Sequence, residues 1–260
     1  MHSCAVGDNG LTCWGAIFYG QTIEPGTISG PNVIASGGRD TCVSGETGMV
    51  CWGQYHGNAS MQNEGMVPID LNSPTKISVG ERLNCALQEG EVYCWGSYGG
   101  AQTNMPDNLL NPRAVAAGER HACVLDDTGV VCWAGNRFYP LLITVPEGLS
   151  NPKAISAGSD HTCVISDSGV TCWGDDTYYP GIITVPEGLV NPTAITAGRD
   201  NTCVIDDNGA TCWGRNFKGK NDVPDTLSNP KDIATGISFT CALDDNGVTC
   251  WGDNNYGQLD

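Results

Sequence analysis

The sequence predicts an all-β chain. It reads as a seven-bladed β-propeller with one intrablade disulfide hairpin per blade, forming a single domain over residues 1–260. Three observations lead there. A Cys-x8-Cys-Trp frame recurs seven times, and a short strand signal ending in Gly recurs six times upstream of it. No stretch shows sustained helical periodicity, and the connections are rich in turn residues.

The hairpin comes first. "HTCVISDSGVTCWG" begins at His161, and the same frame starts at His2, Asp40, Leu83, His121, Asn201 and Phe239. In the fifth copy Val164 and Ile165 lead into Ser166-Asp167-Ser168-Gly169, and Val170 and Thr171 lead out. β-branched residues suit a pleated strand, and Asp/Asn/Ser/Gly centres suit a tight turn with Gly at positive φ.

All 14 cysteines lie in these frames. They pair by position: Cys4 with Cys13, Cys42 with Cys51, Cys85 with Cys94, Cys123 with Cys132, Cys163 with Cys172, Cys203 with Cys212, and Cys241 with Cys250. If the arms pair about the turn, each Cys faces its partner, with Cβ atoms roughly 4.5–5.5 Å apart, close enough for a twisted ribbon to admit a bridge. A loop this short would contribute roughly 2.5–3 kcal/mol in the chain-entropy description. Two other readings stay open: a metal site, although the spacing is not a usual zinc spacing and the chain has 4 His, and buried free thiols. The disulfide reading places the protein in an oxidising compartment: extracellular, cell-surface or periplasmic.

The second element is the upstream strand, seen as "AISAG" at Ala154, "AITAG" at Ala194, "AVAAG" at Ala114, "VIASG" at Val33, "KISVG" at Lys76 and "DIATG" at Asp232. Small residues and a closing Gly suit a strand crowded by neighbours. The third is a variable connection after each Trp, often carrying "VPEGL" and "NP". Three strands, with room for a fourth, in about 40 residues make one propeller blade. The first hairpin, at His2, has no such strand before it, and nothing after Gln258 supplies one. A flanking segment or a second molecule is expected to complete that blade. The hairpin also begins too early to leave room for a signal peptide, so a precursor is expected to start further upstream.

With 29 acidic and 12 basic residues the net charge is −17. Such a surface repels phosphate backbones, which excludes nucleic acid as an expected partner and disfavours anionic membranes. No apolar run approaches the roughly 20 residues needed to cross a bilayer as a helix.

"CWGDNNYGQLD" at the C-terminus and "AISAGSDHTCVISDSGVTCWG" in the fifth copy resemble the repeats of the regulator of chromosome condensation family. The cysteine-paired form is most similar to its bacterial secreted branch and to crinkly-type plant receptor ectodomains. The resemblance covers essentially the whole chain and implies a seven-bladed propeller. The family's namesake is a nuclear exchange factor for a small GTPase that docks on chromatin. This chain departs from it in its acidity, its paired cysteines and its lack of a long insertion that could act as an exchange wedge. A bacterial propeller that inhibits β-lactamase through one face is the nearer analogy, and fold alone does not carry function.

Among candidate site residues, Trp14, Trp52, Trp95, Trp133, Trp173, Trp213 and Trp251 recur at one fixed place, as blade-to-blade packing requires. His2, His121 and His161 precede the first Cys by two residues and read as structural hydrogen-bonding groups. The other copies carry Asp40, Leu83, Asn201 and Phe239 there, which a shared chemistry would not tolerate. Asp126-Asp127, Asp206-Asp207 and Asp244-Asp245 read as turn chemistry, with Ca2+ the minor alternative; no other cofactor is expected. "NAS" at Asn58 is a chance glycosylation match. Ten aromatics fall three to six residues after the Trp: Phe18, Tyr19, Tyr55, Tyr98, Phe138, Tyr139, Tyr178, Tyr179, Phe217 and Tyr256. They form the candidate binding face, weighed against residues that merely plug the blade tops. "YP" at Tyr139-Pro140 and Tyr179-Pro180 suggests rigid projecting loops.

The functional expectation is a non-enzymatic extracellular module binding another protein, or its own kind, through one face. The alternative is a glycan-binding lectin using the same aromatics. An enzyme ranks last, because no nucleophile, acid or base set emerges.

Overall fold

The computed structural model describes residues 2–8, 10–24, 26, 28–53, 67–68, 70–96, 104–135 and 139–260. The described strands form six three-stranded antiparallel sheets and one two-stranded sheet, arranged as a seven-bladed propeller. The first blade is β1 (His2–Gly7) and β2 (Gly10–Gly15). The others run inner, middle, outer. They are β3 (Val33–Gly37), β4 (Asp40–Gly45) and β5 (Gly48–Gly53); β6 (Lys76–Val79), β7 (Leu83–Gln88) and β8 (Glu91–Gly96); and β9 (Ala114–Ala117), β10 (His121–Asp126) and β11 (Gly129–Ala134). Then follow β12 (Ala154–Ala157), β13 (His161–Ser166) and β14 (Gly169–Gly174); β15 (Ala194–Ala197), β16 (Asn201–Asp206) and β17 (Gly209–Gly214); and β18 (Asp232–Thr235), β19 (Phe239–Asp244) and β20 (Gly247–Gly252).

Every middle strand pairs with its outer strand in one register, which sets Cys opposite Cys. All seven bridges form: Cys4 to Cys13, Cys42 to Cys51, Cys85 to Cys94, Cys123 to Cys132, Cys163 to Cys172, Cys203 to Cys212, and Cys241 to Cys250. The Cα atoms stand 4.0–4.1 Å apart across them, and no cysteine is free. The readings as a metal site and as free thiols are therefore set aside. The two ends of a bridge differ in surroundings. Cys42, Cys85, Cys123, Cys163 and Cys203, on middle strands, are fully buried. Cys13, Cys51, Cys94, Cys132, Cys172, Cys212 and Cys250 are half-buried, because the outer strand is the rim of its blade.

Five of the turns, in the second and the fourth to seventh blades, keep ordinary φ at their two central positions and place Gly next, as Gly129 (φ 121°) and Gly169 (φ 100°) do. The third blade differs. Glu89 (φ 52°) and Gly90 (φ 81°) both turn left-handed, the type I′ solution for a two-residue hairpin.

Middle strands are buried along their whole length in blades two to six, because a blade is covered on both faces. Adjacent apolar residues therefore point opposite ways. Val164 packs back against the fourth blade with Val130 and Trp173, while Ile165 packs forward with Val204 and Trp213 of the sixth. The tryptophans fill these interfaces. In four blades the indole Nε1–H also donates to a carbonyl 31 residues earlier: Trp52 to Gln21, Trp173 to Leu142, Trp213 to Ile182 and Trp251 to Lys220.

The inner strands crowd around the axis, which explains their small residues. A Cβ placed on Gly118 would sit 2.5 Å from the Gly158 carbonyl oxygen of the next blade. That space belongs to backbone, so only Gly fits. The inner strands enclose a central cavity of about 510 Å3.

The ring closes through hydrogen bonds onto the first blade. Ser3 Oγ (3.0 Å) and Trp14 Nε1 (3.1 Å) both donate to the Gln258 carbonyl. Thr41 and Trp52 treat Gln21 the same way, and Thr240 and Trp251 treat Lys220 so. The segment around Gln258 thus seats on the first blade as each connection seats on the blade it enters.

Candidate functional site

The strand order separates two ends of the ring. Inner strands finish, and outer strands finish, at the same end, called here the exit end; the Cys-hairpin turns lie at the other. The described connections leave from the exit end and cross to the hairpin end to begin the next inner strand.

At the hairpin end the acidic turns are internally committed. Asp126 accepts from the Thr128 N–H at 2.7 Å and from the Leu110 N–H of the incoming connection at 2.9 Å. Asp206 does the same with Asn208 and Val190, and Asp244 with Asn246 and Ser228. These N–H bonds hold the Asp126 and Asp244 carboxyls below the usual range, against the opposing effect of burial at Asp126. The second carboxylate of each pair takes an Asn or a Lys: Asp127 with Asn111, Asp207 with Asn191, and Asp245 with Lys231. The paired aspartates thus lace each turn to the connection entering its blade. Among the described residues no three His, Cys, Asp or Glu side chains come together as a metal set.

The histidines couple blade to blade. His2, His121 and His161 place Nε2 2.6–2.7 Å from the hydroxyls of Thr41, Thr162 and Thr202, each on the following blade. Burial lowers their pKa to about 4, 4 and 3 respectively, so they stand neutral in ordinary buffers. His121 and His161 are fully buried between blades.

The exit end carries the exposed aromatics. Phe18 is 70% and Tyr178 77% accessible, and Tyr19, Phe217 and Tyr256 are also exposed. Tyr139 and Tyr179 are half-buried. Tyr55, Tyr98, Phe138 and Asn58 lie outside the described residues. Phe18 meets Tyr256 edge to face, with ring centres 5.3 Å apart, so the connections after the first and seventh blades share one aromatic patch. Arginines stack on four of the others: Arg39 on Tyr19 at 4.5 Å, Arg120 on Tyr139 at 5.3 Å, and Arg215 on both Phe217 (5.4 Å) and Tyr179 (5.6 Å).

The Tyr-Pro loops do not project as the sequence suggested. Pro140 opens a single helical turn, α1 (Pro140–Ile143), that drives Leu142 into the core, and the loop after Pro180 buries Ile182 in the same way. Pro is tolerated at a first helical position, where no N–H is required. Gln21, Leu142, Ile182, Lys220 and Gln258 are the buried anchors that these connections turn inward, and the aromatics are what remains outside.

Sequence reasoning passed over the charged ring between the aromatics and the axis. Arg199 of the sixth blade reaches Glu81 of the third at 3.7 Å, across the cavity mouth. Arg120 bonds Asp160 at 3.0 Å, and Arg215 approaches Asp200 at 3.5 Å. Burial pushes the Glu81 and Asp160 carboxyls above the usual range. The available signal was the "GRD", "GER" and "GSD" triplets closing the inner strands, which vary too much among copies to read as one feature.

Seven stapled blades, an interblade Trp and a connection anchored by its carbonyl define a disulfide-bridged propeller of repeat type. Two stretches of it, residues 153–179 and 231–258, match the family model for the regulator of chromosome condensation (RCC1) repeat. No curated protein sequence matches the chain. Among solved structures it is similar to the ectodomain of the receptor kinase CR4 from Physcomitrella patens (23% identity, TM-score 0.76), covering 97% of this chain and 70% of that one. It is likewise similar to the CRINKLY WD40 ectodomain of the receptor kinase ACR4 from Arabidopsis thaliana (24%, TM-score 0.70), covering 100% and 93%. A third is Prp20p from Saccharomyces cerevisiae, described with its binding to Gsp1p and histones (18%, TM-score 0.69), covering 87% and 72%. At these identities the likeness is one of fold.

Proposed function

We propose that this chain is a non-enzymatic extracellular interaction module that binds a protein through its exit end. One observation carries the reading. Phe18, Tyr178, Phe217 and Tyr256 stand exposed at that end, while Arg residues brace the neighbouring rings. Exposed aromatics among arginines are the composition of interface hot spots. The hairpin end is instead saturated by its own polar bonds. Seven disulfides favour an oxidising compartment, and two of the similar structures are receptor ectodomains, which supports an extracellular site of action.

Affinity capture from the native extracellular milieu, followed by quantitative binding, tests this. A protein ligand should bind the unaltered chain and bind roughly tenfold or more weakly once Phe18→Ala, Tyr178→Ala, Phe217→Ala and Tyr256→Ala are combined, a change of about 1.4 kcal/mol or more. Asp127→Asn with Asp207→Asn, at the opposite end, should leave it unchanged. A ligand indifferent to the aromatic variant removes the proposed face. Binding on a glycan array that is abolished by Tyr178→Ala establishes the lectin reading instead.

A further inference from the structure

The exposed aromatics of the exit end come from successive connections, and the chemistry around them changes along the ring. The connection after the sixth blade begins Arg-Asn-Phe-Lys-Gly-Lys at Arg215, rich in cations and without an acid. The connection after the first blade carries no charged residue over positions 16–23. Its Ile17, Phe18 and Ile23 are 67%, 70% and 65% exposed. Between the two, Tyr256 of the seventh blade's connection is exposed and meets Phe18 edge to face. The surface is an arc over three neighbouring connections, cationic at one end and apolar at the other.

The cationic end has fewer carboxylates than it can use. Asp200 is shared between buried Lys220 and Arg215, and the Arg215 side chain is 53% exposed. Lys218 Nζ lies 5.8 Å from the Phe217 ring centre and makes no ion pair among the described residues. Asp222, the next acid along the chain, accepts the Asn216 amide at 2.7 Å. Arg215 rests over the Tyr179 and Phe217 rings, so its guanidinium is already ordered while half in solvent. Such a planar group can still take a carboxylate through its N–H edge, at little further ordering cost. Asp175 and Asp176 stand before Tyr178 in the fifth blade's connection, and they bound the cationic end on that side.

We infer that this arc selects an extended partner segment with a few carboxylates at one end and bulky apolar side chains at the other. The inference rests on the reading of the exit end as a protein-binding face. The carboxylates take Arg215 and Lys218, and the apolar side chains pack on Tyr256, Phe18, Ile17 and Ile23. A protein segment fits this surface better than a sulfated glycan does. Attraction between exposed charges reaches only about 8 Å at physiological ionic strength, so a short acidic stretch meets the local cations. A long polyanion would run on over a chain of net charge −17, and the apolar end would offer it nothing.

The probes are labelled synthetic peptides on the intact, oxidised chain. Each carries three Glu at one end and three Leu or Phe at the other, in both chain orders and with Gly-Ser spacers of several lengths. Saturable one-to-one binding is expected for at least one of them, weakening as salt is raised. Replacing its Glu by Gln should weaken binding roughly tenfold or more, and so should Arg215→Gln combined with Lys218→Gln in the chain. The Gln peptide should no longer distinguish that variant from the unaltered chain, which places the carboxylates on those two cations. Phe18→Ala with Ile23→Ala should act on the apolar end of the peptide in the same way. All four side chains reach solvent, and an unchanged melting profile checks that the variants fold. Lys218→Gln alone is the milder second variant and should give part of the loss.

The inference is overturned if no peptide binds, if the Gln peptide binds equally, or if the Arg215 and Lys218 variant is without effect. Tighter binding of a heparin fragment, lost in that same variant, overturns it in favour of a polyanion site. A captured protein ligand separates the two readings. Loss of its binding in the variant of the four exposed aromatics, with indifference to Arg215→Gln and Lys218→Gln, ends this inference and leaves the protein-binding face standing. Indifference to both variants ends both.

Discussion

Mild acid should loosen the propeller at His121 and His161, both fully buried. Each holds a threonine of the next blade through Nε2, and Nδ1 has no hydrogen-bond partner, so a proton there would be a buried, uncompensated charge. Burial sets their pKa near 4 and 3, below the ordinary imidazole value of 6.5. The folded state therefore refuses a proton that the unfolded chain accepts. Their contribution is whole above pH 6.5 and is lost progressively as pH falls towards the folded values. At pH 4.5, two units below the unfolded pKa and at about 1.36 kcal/mol per unit, each histidine removes about 2–3 kcal/mol. The pair removes about 5 kcal/mol, comparable with the whole stability of many domains. The hairpin-end carboxylates, held below their usual range, yield only in stronger acid, whereas Glu81 and Asp160, held above it, push stability the other way as pH falls.

A difference measurement removes those carboxylate contributions. Urea unfolding at pH 7.5 and pH 4.5 is compared for the unaltered chain and for His161→Asn, the residue that the sixth blade carries as Asn201. The unaltered chain should lose about 2–3 kcal/mol more than the variant between the two pH values. Equal losses would refute the assignment of acid sensitivity to this imidazole, whatever the variant costs at pH 7.5.

Lys220 is fully buried where other connections place Leu142 or Ile182, and it bonds Asp200 and the Ile237 carbonyl. Asp200→Asn should cost about 3–5 kcal/mol in urea unfolding by stranding that ammonium, and adding Lys220→Met should recover most of it; a double variant as unstable as the single would contradict this. Replacing Cys163 and Cys172 together by Ser should cost about 2–3 kcal/mol, the entropy of freeing one short loop. Thermal unfolding reads that cost, and non-reducing peptide mapping should show each remaining Cys linked to the one nine residues away.

Much of this molecule is written locally, and the reason is repetition. The distance from Cys163 to Cys172, the turn residues between them and the β-branched arms depend only on chain neighbours, so the hairpin, its register and its bridge could be read from one copy and checked against six others. That the first hairpin carries no strand signal before it was legible in the same way. Other features belong to contacts between residues far apart in sequence. A Trp in a fixed frame says packing, but that its indole reaches a carbonyl 31 residues earlier depends on how one blade leans on the next. The Tyr-Pro loops misled because a fixed φ sets stiffness and not direction, and the inward turn of Leu142 follows from the apolar hole between blades. Arg199 and Glu81 are 118 positions apart and meet only because the ring brings the sixth blade opposite the third. The repeat specified that a propeller would form; the closed geometry of the ring decided which aromatics stay in water and which charges meet over the cavity.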